Sequence, residues 1–241
     1  MPIYPLSLII PVYFPQAGWE IRLRERLKEL QAHLAIEFEV LIIDDGNLAG
    51  DIHSAIQRLQ WEEKTPRILR LSENLGKGAA LRAGMALMSS TCCITTDVDM
   101  PFTTESYGRV WMALQEGADV VFTKRPYHYL EKLPWLRRVL SRNFRRVVQR
   151  WTGSLDDADV QAGLKGLSQV GAQRYLETTV PGYLADFEFA LLLDSSLKIN
   201  TVPVEMAGHK TQNLQIGVLF RELGYLFRIL LLRAGGKIRE R

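Results

Sequence analysis

The sequence predicts an α/β fold with a mostly parallel central sheet and helices on both of its faces. The first indication is a series of short apolar runs with little polar alternation, which is typical of parallel strands buried on both faces. The second is that helix-length segments separate these runs, as right-handed crossover connections require. The third is size, since 241 residues, 47% of them hydrophobic, are enough for a large domain with an extensive core.

The predicted elements follow one another regularly along the first 125 residues. Strands are predicted at 6–12, 38–43, 67–71, 92–96 and 119–122, and helices at 19–34, 48–62, 77–89 and 103–116. The later elements are a basic helix at 136–151, a loop rich in Gly and Asp at 152–166, a strand at 199–204 and a helix from about 214 to 232. We therefore expect one domain over residues 1–210, followed by a basic amphipathic helix and tail over residues 211–241.

Composition excludes several classes of protein. A net charge of +3 is too low, and apolar residues are too frequent, for an intrinsically disordered chain. The two cysteines, Cys92 and Cys93, are neighbours in a predicted strand, so we expect both to be buried and reduced. The first residues lack the basic and apolar regions of a signal peptide, and no apolar run reaches the roughly 18 residues of a spanning helix. The expected location is cytoplasmic, with peripheral association to a membrane.

Basic residues are concentrated in two segments of an otherwise acidic chain. Residues 132–150 contain seven basic and no acidic residues, and residues 217–241 contain six basic and two acidic ones. Apolar residues recur at helical spacing over 136–151, while the arginines gather on the other face. The pattern favours an anionic partner, either a phosphate or a membrane surface, although a solvated helix face is the alternative. No nucleic-acid recognition motif accompanies the arginines, so no nucleic-acid partner is expected.

Candidate site residues follow the predicted strands, because ligands of such sheets bind beyond the carboxyl ends of the strands. Asp97 and Asp99 flank one residue after strand 92–96, and in an extended segment their side chains share a side. Two close carboxylates are costly unless a cation neutralises them, and hard oxygen ligands suit Mg²⁺ or Mn²⁺. A simple turn after a strand is the alternative interpretation.

Two further segments have the same ambiguity. Asp44-Asp45-Gly46-Asn47 is typical of a turn, but its carboxylates are also suited to accept hydrogen bonds from a nucleobase or ribose. Residues 71–80 resemble a phosphate loop, yet they match neither the Walker pattern nor the dinucleotide-binding glycine pattern. A glycine-rich helix start with Lys77 would still be suited to bind an anion.

The order of these motifs resembles the family-2 glycosyltransferases of GT-A fold over roughly residues 6–210. The motifs shared with the family at large are Ile10-Pro-Val-Tyr13, Asp44-Asp-Gly46, Asn74-Leu-Gly-Lys-Gly78, Asp97-Val-Asp99 and Lys124-Arg125. Two later motifs are similar to the dolichyl-phosphate mannose synthase and polyprenyl-phosphate glycosyltransferase branch, namely Ser141-Arg-Asn-Phe144 and Asp159-Val-Gln-Ala-Gly-Leu-Lys165. Asp186-Phe-Glu188, Pro203-Val204 and Gly208-His-Lys210 follow in the expected order.

The resemblance implies a role for individual residues. The donor's nucleoside would be held by Pro11, Tyr13, Ile43 and Asp45. Mg²⁺ or Mn²⁺ on the donor's diphosphate would be bound by Asp97 and Asp99, with Val98 between them. Donor or acceptor phosphates would be contacted by Arg125, Arg142 and Lys210, beside the anion-binding Lys77. The sugar and acceptor site would be shaped by Asp159 and Gln161.

The implied reaction is the inverting transfer of a hexose from a UDP- or GDP-linked sugar to a polyprenyl phosphate at an anionic membrane surface. One alternative is transfer to a sugar or polysaccharide, which would require Asp159, Asp186 or Glu188 as a general base. Another is a protein that binds nucleotide-sugar or lipid phosphate without turnover. The chain departs from the branch at Phe14-Pro-Gln16, where acidic residues are usual, at Pro101, where a Gln metal ligand is usual, and at His209, where Ser is common.

Overall fold

The computed structural model describes residues 4–47, 50–59, 64–125 and 158–207, together with residues 222, 224–226 and 229. The strands are β1 (Leu6–Val12), β2 (Phe38–Asp44), β3 (Arg67–Arg70), β4 (Cys92–Thr95), β5 (Val120–Lys124), β6 (Lys165–Ser168) and β7 (Ile199–Pro203). The helices are α1 (Trp19–Leu34), α2 (Gly50–Gln57), α3 (Lys77–Leu87), α4 (Thr104–Gln115), α5 (Gln169–Leu176) and α6 (Ala185–Leu192). Each strand and helix predicted within the described residues is present, with small shifts at its ends.

The seven described strands form one sheet in the order β3-β2-β1-β4-β6-β5-β7. The pairs β1–β2, β1–β4, β2–β3 and β5–β7 are parallel. In the β1–β2 register Pro11 lies opposite Ile43 and Val12 lies opposite Asp44, so both strands end at the same edge. The predicted mostly parallel sheet is confirmed, and the residues that follow β1, β2 and β4 meet at one edge.

One strand was missed by sequence analysis. β6 pairs antiparallel with both β4 and β5, and it begins at Lys165 within the segment predicted as a loop. Its four residues include Lys165 and Gly166, so it is not an apolar run. A methyl group on Gly166 would lie 2.6 Å from Val110 Cγ1 of α4, which explains why glycine stands there. Helices α5 and α6 were not predicted either.

The core has two parts, one on each face of the sheet. Residues of α1, α2 and α4 pack with one face, and residues of α3, α5 and α6 pack with the other. This confirms helices on both faces. Cys92 and Cys93 are buried and form no disulfide, and burial raises the pKa of both thiols, as expected for unreactive core residues.

A buried polar cluster lies at the amino end of the sheet, away from the candidate site. Ser7 and Ser89 both donate to the Glu39 carboxylate, and Arg67 forms an ion pair with it. Burial opposes ionisation of Glu39, but these donors outweigh it and lower the pKa of the carboxyl. The cluster joins β1, β2 and β3 to the end of α3.

The described residues of the predicted C-terminal helix are helical and contact the body of the protein. Ile229 is fully buried in the core part that contains α3, and Tyr225 and Leu226 pack against the same part. The Glu222 carboxylate accepts hydrogen bonds from the backbone N–H groups of Tyr183 (3.1 Å) and Leu184 (2.9 Å). These residues therefore pack on the body of the protein.

Some predicted features lie outside the described residues. They are the basic helix at 136–151, Arg142, Lys210 and most of residues 211–241. In the part of the chain that the structure describes, no helix combines the length and apolar character needed to cross a bilayer.

Candidate active site

Asp97 and Lys77 form an ion pair at the carboxyl edge of the sheet. Asp97 follows β4, and Lys77 is the first residue of α3. The Lys77 ammonium donates to Asp97 Oδ1, while 40% of the Asp97 side chain is exposed. Burial alone would raise the pKa of Asp97, but Lys77 together with Lys165 and Arg125 outweighs it and lowers that pKa. Burial alone would lower the pKa of Lys77, but Asp97 together with Asp186 outweighs it and raises that pKa. Both groups are therefore charged at neutral pH.

Gly163 defines the other side of the Asp97 carboxylate. A methyl group on Gly163 would lie 2.2 Å from Asp97 Oδ2 and 3.0 Å from Oδ1. The Gly163 carbonyl also accepts a hydrogen bond from Thr95 Oγ1 at 3.0 Å, which ties the loop before β6 to β4. Glycine at position 163 thus allows the backbone to approach the carboxylate, and this contact could not be predicted from sequence spacing.

We expect Gly163→Ala to weaken nucleotide binding as well as to destabilise the fold. The added methyl group must displace the Asp97 carboxylate, and overpacking of this kind costs about 1–3 kcal/mol of folding free energy. Nucleotide binding in Mn²⁺, measured by isothermal titration calorimetry, should weaken about tenfold or more, since misplaced site groups lose much of their effect. Gly224→Ala is the control, because its methyl group would meet no described atom within 4 Å. Equal nucleotide affinity of both variants would contradict the expectation.

Asp45 is buried and holds the loop that leads into α3. Its carboxylate accepts hydrogen bonds from the N–H groups of Leu75 (2.8 Å) and Gly76 (3.0 Å). Gly76 has φ +98°, and a Cβ there would lie 2.6 Å from the Pro181 carbonyl oxygen. A Cβ on Gly78 is also excluded, because it would lie 2.3 Å from Ala185 Cβ. The glycines of this segment are therefore explained by close packing, and its predicted anion-binding role stays a prediction.

Arg125 and Asp159 form a second ion pair beside Asp97. Arg125 Nε donates to Asp159 Oδ2 at 2.5 Å, and both side chains are largely buried. Burial raises the pKa of Asp97, and the Arg125 charge helps Lys77 and Lys165 to lower it. Gln161 is exposed in the turn between Asp159 and Gly163. The structure thus brings together Lys77, Asp97, Arg125 and Asp159.

The residues after β1 form an exposed aromatic pair. The rings of Tyr13 and Phe14 meet edge to face at 4.7 Å, with 48% and 63% of the residues exposed. Phe14 has φ +41°, and its N–H donates to Asn47 Oδ1 at 2.9 Å. Asn47 in turn donates to the Val12 carbonyl, so β1 and β2 are joined at this edge. This is the edge at which a nucleoside was predicted to bind.

Two further predicted nucleoside contacts differ in exposure. Pro11 is partly buried, whereas Ile43 is fully buried in the core next to Gly84 of α3. The Ile43 side chain therefore packs in the core and does not line the site.

The comparisons with known proteins place the chain in a family. Residues 7–165, more than half of the chain, match the family described as glycosyl transferase family 2. The chain belongs to this family. It is accordingly a nucleotide-sugar glycosyltransferase, and its fold is the GT-A type.

Solved structures with the fold of this glycosyltransferase share little of its sequence. Glucosyl-3-phosphoglycerate synthase from Mycobacterium tuberculosis, solved with uridine-diphosphate, matches with TM-score 0.65 and 17% identity over 96% of this chain and 80% of that one. Mannosyl-3-phosphoglycerate synthase from Rubrobacter xylanophilus matches with TM-score 0.72 and 14% identity over 99% and 77%. The mannosyltransferase PcManGT from Pyrobaculum calidifontis, solved with GDP-Man and Mn²⁺, matches with TM-score 0.55 and 13% identity over 84% and 55%.

The carboxylate ligands available in this glycosyltransferase suit a divalent cation whose coordination shell is completed by substrate phosphates. No group of three or more His, Cys, Asp or Glu residues that suits a metal occurs among the described residues. Asp97 and Asp99, which is partly buried, supply hard carboxylate oxygens at the open edge of the sheet. Mg²⁺ in such sites is held by one or two carboxylates together with substrate phosphates. Pro101, whose carbonyl accepts from Ala207 N–H at 2.8 Å, provides no side-chain ligand.

The other candidate bases of this glycosyltransferase are engaged inside the protein. Asp186 is buried, pairs with the fully buried Lys165 at 2.8 Å, and accepts a hydrogen bond from Tyr175 Oη at 3.1 Å. Burial lowers the pKa of Lys165, although Asp186 partly opposes this effect. Glu188 is buried and accepts three hydrogen bonds from Thr179 and Val180. Sequence analysis did not assign Lys165 and Tyr175 to this buried network.

Proposed function

We propose that this glycosyltransferase moves a hexose, with inversion, from a UDP- or GDP-linked sugar to a polyprenyl phosphate at a membrane surface. The observation that carries the proposal concerns the candidate bases. Asp159, Asp186 and Glu188 each have an ion-pair or hydrogen-bond partner inside the protein. A carboxylate whose oxygens are engaged by partners inside the protein is poorly placed to take a proton from an acceptor hydroxyl, because a general base must lie within hydrogen-bond reach of that proton. An acceptor that is already ionised avoids this difficulty.

A phosphate monoester is such an acceptor. Its second pKa is about 6, so it is largely ionised at neutral pH and needs no general base. One of its oxygens forms a bond to the anomeric carbon while the bond from that carbon to the donor's diphosphate oxygen breaks. The bonding electron pair leaves with the nucleoside diphosphate. A divalent cation, when bound by Asp97 and Asp99, supplies stabilisation of the charge on this leaving group.

Arg125 is suited to orient a phosphate in this reaction. Asp159 fixes its guanidinium through Nε, and a planar guanidinium matches the geometry of phosphate oxygens. Arg142 and Lys210, outside the described residues, complete the proposed set of phosphate contacts. In the same proposal residues 1–210 form the catalytic unit, and the basic residues of 132–150 and 233–241 attract anionic lipid by about 1 kcal/mol each.

The test compares acceptors with one set of donors. UDP- and GDP-hexoses labelled in the sugar are incubated with enzyme, Mn²⁺ and either a short polyprenyl phosphate, 3-phosphoglycerate or an oligosaccharide. We expect labelled product with polyprenyl phosphate. Product with 3-phosphoglycerate alone would favour a small phosphate-bearing acceptor, as named for the two synthases that match nearly the whole chain. Product with the oligosaccharide alone, or no product at all, would also overturn the lipid-phosphate proposal.

We expect Arg142→Lys to lose activity although it keeps the charge. Loss of bidentate hydrogen bonding to a phosphate costs roughly 1.5–3 kcal/mol, which corresponds to a decrease of about ten- to hundredfold in kcat/KM. Arg174→Lys is the matched control, since Arg174 pairs with Glu177 and Asp194 at the surface. If Arg142→Lys were as active as Arg174→Lys, Arg142 would contribute only surface charge and would not be a specific phosphate contact.

Membrane association has its own measurement. Vesicles containing anionic lipid should co-sediment the enzyme at low salt and release it at high salt, because salt screens surface charge. If the enzyme did not bind anionic vesicles at low salt, the proposed membrane association would be wrong. The acceptor assay tests the glycosyl transfer independently of this result.

A further inference from the structure

We propose that Lys77 is an exchangeable counter-ion that makes metal binding depend on the donor. Its ammonium donates to Asp97 in the structure; when the donor's diphosphate arrives with a divalent cation, Lys77 leaves Asp97 and pairs with the diphosphate. This inference rests on the proposed function and deepens it, because it names the group that joins donor binding to metal binding.

The first argument is the arrangement around the Asp97 carboxylate. Lys77 Nζ donates to Oδ1, and the Gly163 backbone closely approaches the Oδ2 side. An ammonium on Oδ1 repels a cation that approaches the same carboxylate, since like charges at short distance are unfavourable. Lys77 therefore competes directly with a cation for Asp97.

The second argument is that Asp97 is not the only group that favours the charge of Lys77. Asp186 is the next acidic group, after Asp97, that favours its charge. The half-exposed Tyr183 ring lies 6.0 Å from Nζ, at the limit for a cation–π contact. The lysine side chain is a flexible stem with a compact charge at its end. The ammonium can therefore move away from Asp97 and still be favoured by the Asp186 charge and the Tyr183 ring.

The third argument is charge balance. The positive charge of Lys77 offsets one of the two negative charges of Asp97 and Asp99, which weakens the attraction of the two carboxylates for a cation that arrives without the donor. The donor's diphosphate attracts both the cation and the ammonium, so the displaced Lys77 gains a new anionic partner. The cation and the nucleotide should consequently raise each other's affinity by the same factor.

The experiment measures free Mn²⁺ by electron paramagnetic resonance, with and without UDP or GDP. The proteins are wild type, Lys77→Met, Lys77→Arg and Lys124→Met, the last removing a lysine charge at the end of β5. Without nucleotide we expect Lys77→Met to bind Mn²⁺ about tenfold more tightly than wild type, as expected for removal of one adjacent charge. Lys77→Arg should resemble wild type, and Lys124→Met should change the affinity by less than about threefold.

The nucleotide titration gives the second readout. UDP or GDP should raise the Mn²⁺ affinity of wild type strongly, and the gain should be about tenfold smaller in Lys77→Met. An unchanged Mn²⁺ affinity of Lys77→Met in the absence of nucleotide would overturn the exchange, and so would a nucleotide-induced gain in Lys77→Met as large as the gain in Lys124→Met. If Lys77→Met does not fold, Lys77→Gln takes its place with the same expectations. If wild type binds neither nucleotide in Mn²⁺, it is the proposed function that fails.

Discussion

Asp99→Ala is expected to abolish metal-dependent nucleotide binding while the protein keeps its fold. Asp97 and Asp99 are the carboxylates that follow β4 at the open edge of the sheet. Metal stabilisation of a leaving group is worth several kcal/mol, so kcat/KM should fall on the order of 10²–10³-fold. Calorimetry of UDP and GDP binding in Mn²⁺ and in EDTA measures the loss, and circular dichroism reports the fold.

A matched carboxylate separates the metal role from a general loss of negative charge. Glu177→Ala removes an exposed carboxylate that pairs with Arg174 at 3.0 Å, near the end of α5. This control should bind nucleotide in Mn²⁺ like wild type. If Asp99→Ala also bound nucleotide as tightly as wild type in Mn²⁺, Asp99 would not be a metal ligand.

The largest loss of stability is expected on breaking the buried pair of Lys165 and Asp186. Removing one partner leaves the other charge buried and unpaired, which costs about 3–5 kcal/mol. For a protein of this size the melting temperature of Lys165→Met should fall by roughly 10 °C. Asp186→Asn should also destabilise the protein, although its side-chain carbonyl still accepts a hydrogen bond from Tyr175.

The double variant shows whether the pair acts as a unit. Lys165→Met with Asp186→Asn leaves neither charge, so it should lose at least about 1 kcal/mol less than the sum of the two single losses. Urea unfolding of the four proteins measures this coupling. Lys64→Met is the surface control; it breaks the 2.6 Å pair with Glu37, and exposed pairs of this kind contribute about 0–1 kcal/mol. Additive losses would show that Lys165 and Asp186 do not depend on each other.

Lys165 also explains why part of the fold could not be predicted. A lysine followed by glycine is not a typical start for a buried strand, because a buried charge is unfavourable without a partner. Its partner, Asp186, lies 21 positions away along the chain, in α6. Only the tertiary structure brings the two together, and β6 is stable between β4 and β5 because of such contacts.

Sequence alone determined the parts of the protein that depend on local pattern. Continuous apolar runs predicted β1 and β2, and the polar residues just after the strands predicted the edge at which Asp45, Asp97 and Asp99 lie. The tertiary structure decided the contacts between distant segments: Lys77 on Asp97, Arg125 on Asp159, Gly163 against the Asp97 carboxylate, and Glu188 under the loop at 179–180. The physical reason is that the hydrophobic pattern of a strand or helix depends only on residues that are neighbours in the sequence. Ion pairs and close backbone contacts depend instead on which distant segments the folded sheet places side by side.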